Sequence, residues 1–188
     1  QLLDWAMRWV VLVSVPAAVG LIALAEPMLV TLFMYGKFGV HDVTMSGRAL
    51  IAFALGLPAF ILVKILASGF YARQNTQTPA RIAALSVGAN IVLSLALIYP
   101  LAHMGLALAI SLAAFVNAAL LFHVLRREDA YTPLPGWGAL LLRVAVASTV
   151  MGLAMTWGAG ELSLWTDAGV PARILRLGIL VAVGVVVY

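Results

Sequence analysis

Long apolar runs, separated by short polar stretches, make up most of the chain. Each run is close to the ~20 residues that a helix needs to cross the hydrocarbon core of a bilayer. The pattern therefore predicts an all-α integral membrane protein, a polytopic helical bundle with about six transmembrane helices. The predicted spans are about residues 8–25, 47–71, 79–98, 104–125, 138–157 and 172–188.

The polar stretches between the first spans predict one short helix and two helix starts. Glu26 and the proline after it end the first span, and residues 28–35 are too few to cross, which indicates a short helix at the membrane interface. Ser46 is predicted to cap the second span. Thr78, which is followed by Pro79, is predicted to cap the third span. In both, a hydroxyl oxygen can accept a free backbone N–H.

Two connections divide the chain into larger units. The short connection at residues 99–105 makes spans three and four an antiparallel hairpin. Residues 129–137 form a proline-rich linker, which separates four spans in residues 1–128 from two final spans in residues 138–188. The chain starts at Gln1 and its last apolar run is too short for a full crossing, so we expect a piece of a larger membrane protein.

Composition excludes a soluble domain, because 64% of the residues are apolar, only 10% are charged and the mean hydropathy is +1.10. The net charge of +4 comes from basic residues that stand singly or in pairs, not in a stripe, so we expect no nucleic-acid partner. The chain has no cysteine, which removes disulfide and thiolate chemistry.

The basic residues predict an orientation. Five lie on the side of the chain's start and four on the other side, so the positive-inside rule places the start in the cytoplasm. We expect Arg173 and Arg176 to anchor the last span at the lipid headgroups. The two groups are Arg8, Arg73, Arg81, Arg126 and Arg127 on one side, and Lys37, Arg48, Arg173 and Arg176 on the other.

Polar side chains inside the spans are the candidate functional residues. Lys64 in mid-helix costs about 2.5–3.5 kcal/mol on insertion scales, so it either reaches the nearer interface or lines a polar cavity that receives an anion. Ser86, Asn90 and Ser94 follow at four-residue spacing and share a helix face. That face, like Asn117 in the next span, serves either helix packing or a site.

Catalytic signatures are missing from the sequence. It has no phosphate-binding glycine loop, no acidic pair inside a span, and no ligand spacing among His41, His103 and His123. We therefore expect no enzyme, no metal site and no cofactor. A helical bundle with one buried cation suits a carrier of a bulky, partly apolar anion.

One motif then narrows the class of carrier. Residues 64–79, KILASGFYARQNTQTP, closely resemble the lysine, glycine and FYxRQxxxTP pattern of the MurJ (MviN) lipid II flippase family. Three further stretches resemble that family in the same order: LLDW at residues 2–5, LFMYGKF at 32–38 and TPLPGW at 132–137. The family belongs to the multidrug/oligosaccharidyl-lipid/polysaccharide exporter superfamily, and the resemblance covers essentially the whole chain.

The resemblance implies an architecture and a location. Family members have fourteen spans in two lobes plus a final pair, and this chain resembles spans nine to fourteen, so the first lobe of the same protein is an expected partner. It implies a bacterial inner-membrane, multi-pass protein that begins in the cytoplasm. The spans after Trp137 would help to line a groove for the lipid's undecaprenyl tail.

The resemblance also implies roles for single residues. Lys64 matches a family lysine and is the best candidate for a cavity cation that attracts the lipid diphosphate. Arg73, Arg81 and Arg143 are candidate substrate or headgroup contacts. Some members bind sodium, and here Asn90 and Ser94 would be two ligands. The third position is Ile110, which has no hydroxyl, so we do not expect a sodium site of that form. Coupling to a monovalent cation stays open, with the Ser86, Asn90 and Ser94 face as the candidate ion contact.

The implied function is outward translocation of lipid II, the lipid-linked peptidoglycan precursor, by alternating access in cell-wall synthesis. A flippase for another polyprenyl-linked oligosaccharide, or a multidrug extruder of the same superfamily, is the alternative carrier. An extruder would show a carboxylate inside a span. A non-transporting membrane scaffold is an alternative of another class, and it would tolerate Lys64→Ala.

Overall fold

A computed structural model describes residues 2–128 and 134–188. The residues it describes form helices and connections without a β-strand, so the predicted all-α fold class is confirmed. Part of the predicted linker, residues 129–133, lies outside the described residues. The helices are α1 (Leu2–Ala23), α2 (Ala25–Phe33), α3 (Val40–Ala54), α4 (Leu57–Tyr71), α5 (Gln77–Arg127), α6 (Trp137–Ala159), α7 (Ser163–Thr166) and α8 (Val170–Val187).

The 51-residue α5 is a hairpin of two helices. Ile82 near its start and Leu121 near its end pack in the same core cluster as Phe70, whereas a straight helix would hold them roughly 60 Å apart. The chain reverses at Ala102, whose φ of 47° and ψ of −125° are not helical. We refer to residues 77–101 as the first arm and residues 103–127 as the second arm of α5.

Five of the described helical segments are long and apolar enough to cross a membrane. They are α1, the nearly continuous α3 and α4, α5, α6 and α8. Because α5 contains two antiparallel arms, these segments supply six membrane-length helices. That number matches the prediction of about six.

Two predicted caps are wrong. The α3 helix begins at Val40, so Ser46 lies inside it, and the Gly39 N–H donates to the Asp42 carboxylate at 2.9 Å. The α5 helix begins at Gln77 after the N-cap residue Thr76, and the Oδ1 of the preceding Asn75 accepts the Thr78 N–H at 3.1 Å. An amide or carboxylate near each start therefore accepts the backbone donor in place of the predicted hydroxyl.

The break between α3 and α4 is closed by a residue of the second α5 arm. The Gly56 N–H bonds to the Phe53 carbonyl, which leaves the Ala52 carbonyl for Ser111 Oγ to bond at 2.7 Å. A Cβ on Gly56 would lie 2.8 Å from Ser111 Cα, so only glycine allows this approach. Ser111 thus has a packing role.

The helices pack around two cores, one toward each end of α1. The first contains Met7, Phe70 and Leu121 where α1, α4 and α5 meet. The second contains Leu24 and Trp165 where the start of α2 meets α6, α7 and α8. Between these cores α1 packs against both α4 and α6, so it connects the hairpin half of the bundle to the final pair of helices.

Candidate functional site

One open groove brings together polar side chains from three helices. Lys64 of α4, Ser86 and Asn90 of the first α5 arm, and Asn117 of the second arm all line it. The groove has a volume of about 380 Å³, and its remaining walls are apolar. We call it the Lys64 groove.

The shared helix face predicted from four-residue spacing explains why two of these residues meet. Ser86 and Asn90 lie one turn apart on the first arm, and both face Lys64 across the groove. Ser94, the third residue of that face, does not line the groove, but its Oγ lies 3.5 Å from Asn90 Oδ1. The antiparallel second arm adds Asn117, a residue that lies more than 25 positions along the chain from Asn90.

The groove residues differ in their free hydrogen-bonding capacity. Ser86 is buried, and its hydroxyl donates to the Ile82 carbonyl at 2.9 Å. Asn117 Oδ1 is buried and has no hydrogen-bond partner among the residues that the structure describes. The Lys64 side chain is exposed in the groove. The groove therefore offers a cation and an unused amide acceptor to a ligand.

The three candidate arginines lie outside this groove. Arg73 pairs with Glu128 at 3.2 Å and so ties the loop after α4 to the end of α5. Arg81 and Arg143 are exposed on α5 and α6. These positions fit contacts at the bundle surface more readily than a shared site with Lys64.

A second polar cluster joins the start of α1 to the start of α6. Asp4, only 1% exposed, accepts hydrogen bonds from Arg8 Nε at 2.7 Å and from the Trp137 indole N–H at 2.8 Å. Arg8 also donates to the Pro135 carbonyl at 2.9 Å. The residue spacing gave no sign of this contact. The signal was in the motifs, because Asp4 and Trp137 belong to two of the four family-like stretches.

Arg173 does not anchor at the headgroups as predicted. It is buried, 8% exposed, and its guanidinium donates to the carbonyls of Ala168, Thr166 and Val30 at 2.9, 2.8 and 3.3 Å. Thr166 ends α7, and Val30 lies in the last turn of α2, where its carbonyl also accepts the Met34 N–H at 3.4 Å. The prediction was wrong because these acceptors come from outside the last span, and a prediction made from that span alone does not include them.

No group of three or more His, Asp or Glu side chains that could hold a metal occurs within residues 2–128 and 134–188. Asn90 and Ile110, two positions of the sodium pattern considered above, both line the Lys64 groove. The side chain beside Asn90 there is a hydrocarbon, which cannot coordinate a cation.

Membrane-length helices around a groove with a lysine define a polytopic helical membrane protein. A sequence model of the family described as "Lipid II flippase MurJ" matches residues 1–176. The chain belongs to the MurJ lipid II flippase family, as its motifs indicated. This membership and the apolar helices make it a multi-pass protein of the bacterial inner membrane.

Named relatives support the same family. The probable lipid II flippase MurJ of Vibrio cholerae serotype O1 is 38% identical over 188 residues, which cover 99% of this chain and 35% of that protein. The lipid II flippase MurJ of Burkholderia cenocepacia is 43% identical over 159 residues, covering 83% of this chain and 30% of that protein. The chain thus spans about a third of the length of these relatives.

A solved structure has the same fold. It is described as "Lipid II flippase MurJ, inward closed conformation", and it superposes with a TM-score of 0.79 at 22% identity. The match covers 98% of this chain and 37% of that one. The arrangement of α1 to α8 is therefore that of the matched part of this solved structure.

Proposed function

We propose that this chain forms part of a flippase that moves lipid II from the cytoplasmic to the periplasmic leaflet. The observation that carries the proposal is the Lys64 groove, in which a cation, a serine hydroxyl and two amides face one open space. Lipid II presents a diphosphate together with sugar hydroxyls and peptide amides. A lysine can bind the diphosphate as a point charge. Asparagine side chains can bind the sugar hydroxyls and peptide amides by donating and accepting hydrogen bonds.

Energetics support a functional lysine at this position. A lysine in a membrane helix is costly unless it meets water, an anion or an interface, and Lys64 lies within α4 with apolar neighbours Val63 and Ile65. In the Lys64 groove this side chain is exposed and available to an anion. In the proposed cycle the anionic lipid head binds while Lys64 is accessible from the cytoplasm. The bound head then shifts the balance toward the outward-open state, and its release on the other side resets the transporter.

The final helices offer a surface for the lipid tail. A separate cavity of about 450 Å³ lies between α1, α6 and α8, with Gly20, Met151 and Met155 in its walls. Small and flexible apolar residues allow a long isoprenoid chain to lie against the helices. The tail would then remain in hydrocarbon while the head crosses through the polar groove.

We propose that translocation requires no covalent step and no cofactor. The work is a change in binding and conformation, which a transporter performs without bond formation. Membrane potential is a sufficient source of bias, because moving one charge across 100 mV is worth about 2.3 kcal/mol.

The test is lipid II translocation in cells depleted of their own flippase, complemented with the full-length protein at matched expression. We expect Lys64→Ala to lose translocation at least about tenfold, since one lost charge-assisted contact is worth about 1.5–3 kcal/mol. Lys64→Arg should retain part of it, because it keeps the charge. Arg48→Ala, which removes an exposed cation on α3, should behave as wild type.

The outcomes separate the alternatives. If the wild-type protein does not restore lipid II translocation but moves another polyprenyl-linked oligosaccharide, that oligosaccharide is the substrate. Equal translocation by wild type and Lys64→Ala would mean that Lys64 does not bind the lipid head during transport. A scaffold would be indicated if growth is restored without any translocation above background.

A further inference from the structure

A second groove opens between α1, α4, the second arm of α5 and the start of α6. Every side chain that lines it is apolar or aromatic, and its volume is about 480 Å³. Trp137 is the one lining residue with a polar atom, and its indole N–H is bonded to Asp4 at 2.8 Å. We call this space the Trp137 groove.

The depth of the Trp137 groove corresponds to one leaflet. Phe115 and Phe122 line it two turns apart on the second arm, a rise of roughly 10 Å. The hydrocarbon of one leaflet is about 15 Å deep, half of the ~30 Å core. A chain lying in the groove would thus extend from the headgroup level most of the way to the bilayer centre.

Two guanidinium groups stand at the mouth of the groove. Arg126 Cζ lies 6.0 Å from the centre of the Phe122 ring, and Arg8 Cζ lies 5.5 Å from the centre of the Trp137 ring. Both rings line the groove. Such stacking holds a guanidinium plane in place while its edge remains available for phosphate oxygens.

The two arginines differ in charge balance. Arg8 is paired with the buried Asp4 carboxylate at 2.7 Å. The carboxylate of the nearby Glu128 already pairs with Arg73 at 3.2 Å. Arg126 is exposed, and Arg127 follows it in the chain. The positive charge at the mouth therefore comes from Arg126.

We propose that the Trp137 groove is a binding site for an anionic glycerophospholipid of the leaflet that faces Arg126. One acyl chain lies in the groove, and the headgroup phosphate bonds to the guanidinium of Arg126. The groove is short compared with the thickness of a bilayer, and its charge lies only beside the Phe122 and Trp137 rings. These features suit a resident lipid that keeps to its leaflet, and not a cargo that crosses.

Native mass spectrometry of the purified full-length protein with phosphatidylglycerol tests the site. We expect wild type to retain phosphatidylglycerol and Arg126→Gln to retain it about fivefold less, which is the change for about one basic residue beside an anionic lipid. Arg48→Gln, which removes an exposed cation on α3, should retain the lipid as wild type does. Phosphatidylcholine added in excess should not displace it.

A second variant tests the apolar part of the site with the charge intact. Ala119 is exposed and lines the groove, so Ala119→Phe fills the space without disturbing a buried core position.

Reduced retention in both Arg126→Gln and Ala119→Phe supports the proposal. Undiminished retention in both, or equal retention of phosphatidylcholine, overturns it. Displacement by an undecaprenyl diphosphate lipid also overturns it, because the groove would then belong to the substrate. None of these readouts depends on translocation.

Discussion

Ala102 has a backbone conformation that glycine adopts at much lower cost. Its φ of 47° and ψ of −125° allow the hairpin reversal between the α5 arms, but a side chain there costs about 1–3 kcal/mol. We therefore expect Ala102→Gly to stabilise the full-length protein by about 1 kcal/mol in equilibrium unfolding. The control is Ala96→Gly on an exposed helical position of the first arm, which should destabilise it by about 1 kcal/mol. Loss of stability in Ala102→Gly would contradict the strained reversal.

Ile110 predicts how translocation responds to ions. Its hydrocarbon side chain stands where the sodium pattern needs a hydroxyl, and Asn90 is already in contact with Ser94. We expect the rate of lipid II translocation to be unchanged when potassium replaces sodium at constant membrane potential. Asn90→Ala should lower the rate by the same factor in both salts. A sodium-dependent rate that Asn90→Ala removes would show that a site forms despite Ile110.

Some single residues were predictable from the sequence, and others were not. The shared face of Ser86 and Asn90 is predictable because their spacing is a property of one helix, and Lys64 stands out because a charge inside a span is costly. Whether these residues and Asn117 serve packing or a site stays open in the sequence, because that depends on how α4 and the two α5 arms pack. Arg173 was misassigned for the same reason.

At the scale of helices, the Asp4 cluster fixes the start of α6 to the start of α1. Trp137→Phe removes a hydrogen bond to a buried carboxylate and should lower the free energy of unfolding by about 1.5–3 kcal/mol. Asp4→Ala should cost about 3 kcal/mol or more, because it also leaves Arg8 without its counter-ion.

A double-mutant cycle distinguishes this contact from general packing. In an Asp4→Ala background, Trp137→Phe should have little further effect, because its acceptor is already gone. Trp9→Phe serves as the control, since Trp9 is half exposed on α1. Additive losses from Asp4→Ala and Trp137→Phe would mean that the two residues contribute independently.

Arg173 connects three helices through their carbonyls. Arg173→Leu should destabilise the protein by about 2–3 kcal/mol, because it removes the charged donor that the partly buried Thr166 and Ala168 carbonyls and the buried Val30 carbonyl share. Arg176→Leu, which loses one exposed bond to the Leu164 carbonyl at 2.9 Å, should cost less than about 1 kcal/mol. Equilibrium unfolding of both variants measures the difference. Equal losses of unfolding free energy in the two variants would instead support the predicted headgroup role of Arg173.

The existence of the helices followed from the sequence more directly than their ends. Apolar runs of spanning length fixed six membrane helices because that signal sums over ~20 residues. A helix start depends on one side chain, and Asp42 and Asn75 compete for that role with Ser46 and Thr78. A choice between neighbouring caps needs the turn geometry, which the sequence does not contain.

At the scale of the whole molecule, the antiparallel α5 arms decide that the polar residues form a groove. The arms bring Asn90 and Asn117 to the same level of the bundle, and α4 adds Lys64 beside them. Because the chain matches only about a third of its relatives' length, the other wall of a transport path would come from the rest of the protein. Alternating access then requires water to reach the Lys64 groove in at least one state.

Cysteine labelling tests whether the Lys64 groove is wet, since the chain has no cysteine of its own. Ala83 is exposed and lines the groove, and Val92 is 67% exposed on the same arm but does not line the groove. In full-length protein without other cysteines, a hydrophilic maleimide should label Ala83→Cys. It should not label Val92→Cys, whose thiol would face lipid. Lipid II should protect Ala83→Cys from labelling, because its head would occupy the same space. If Ala83→Cys is as unreactive as Val92→Cys from both sides of the membrane, the groove is filled by lipid or protein and cannot carry the charged head.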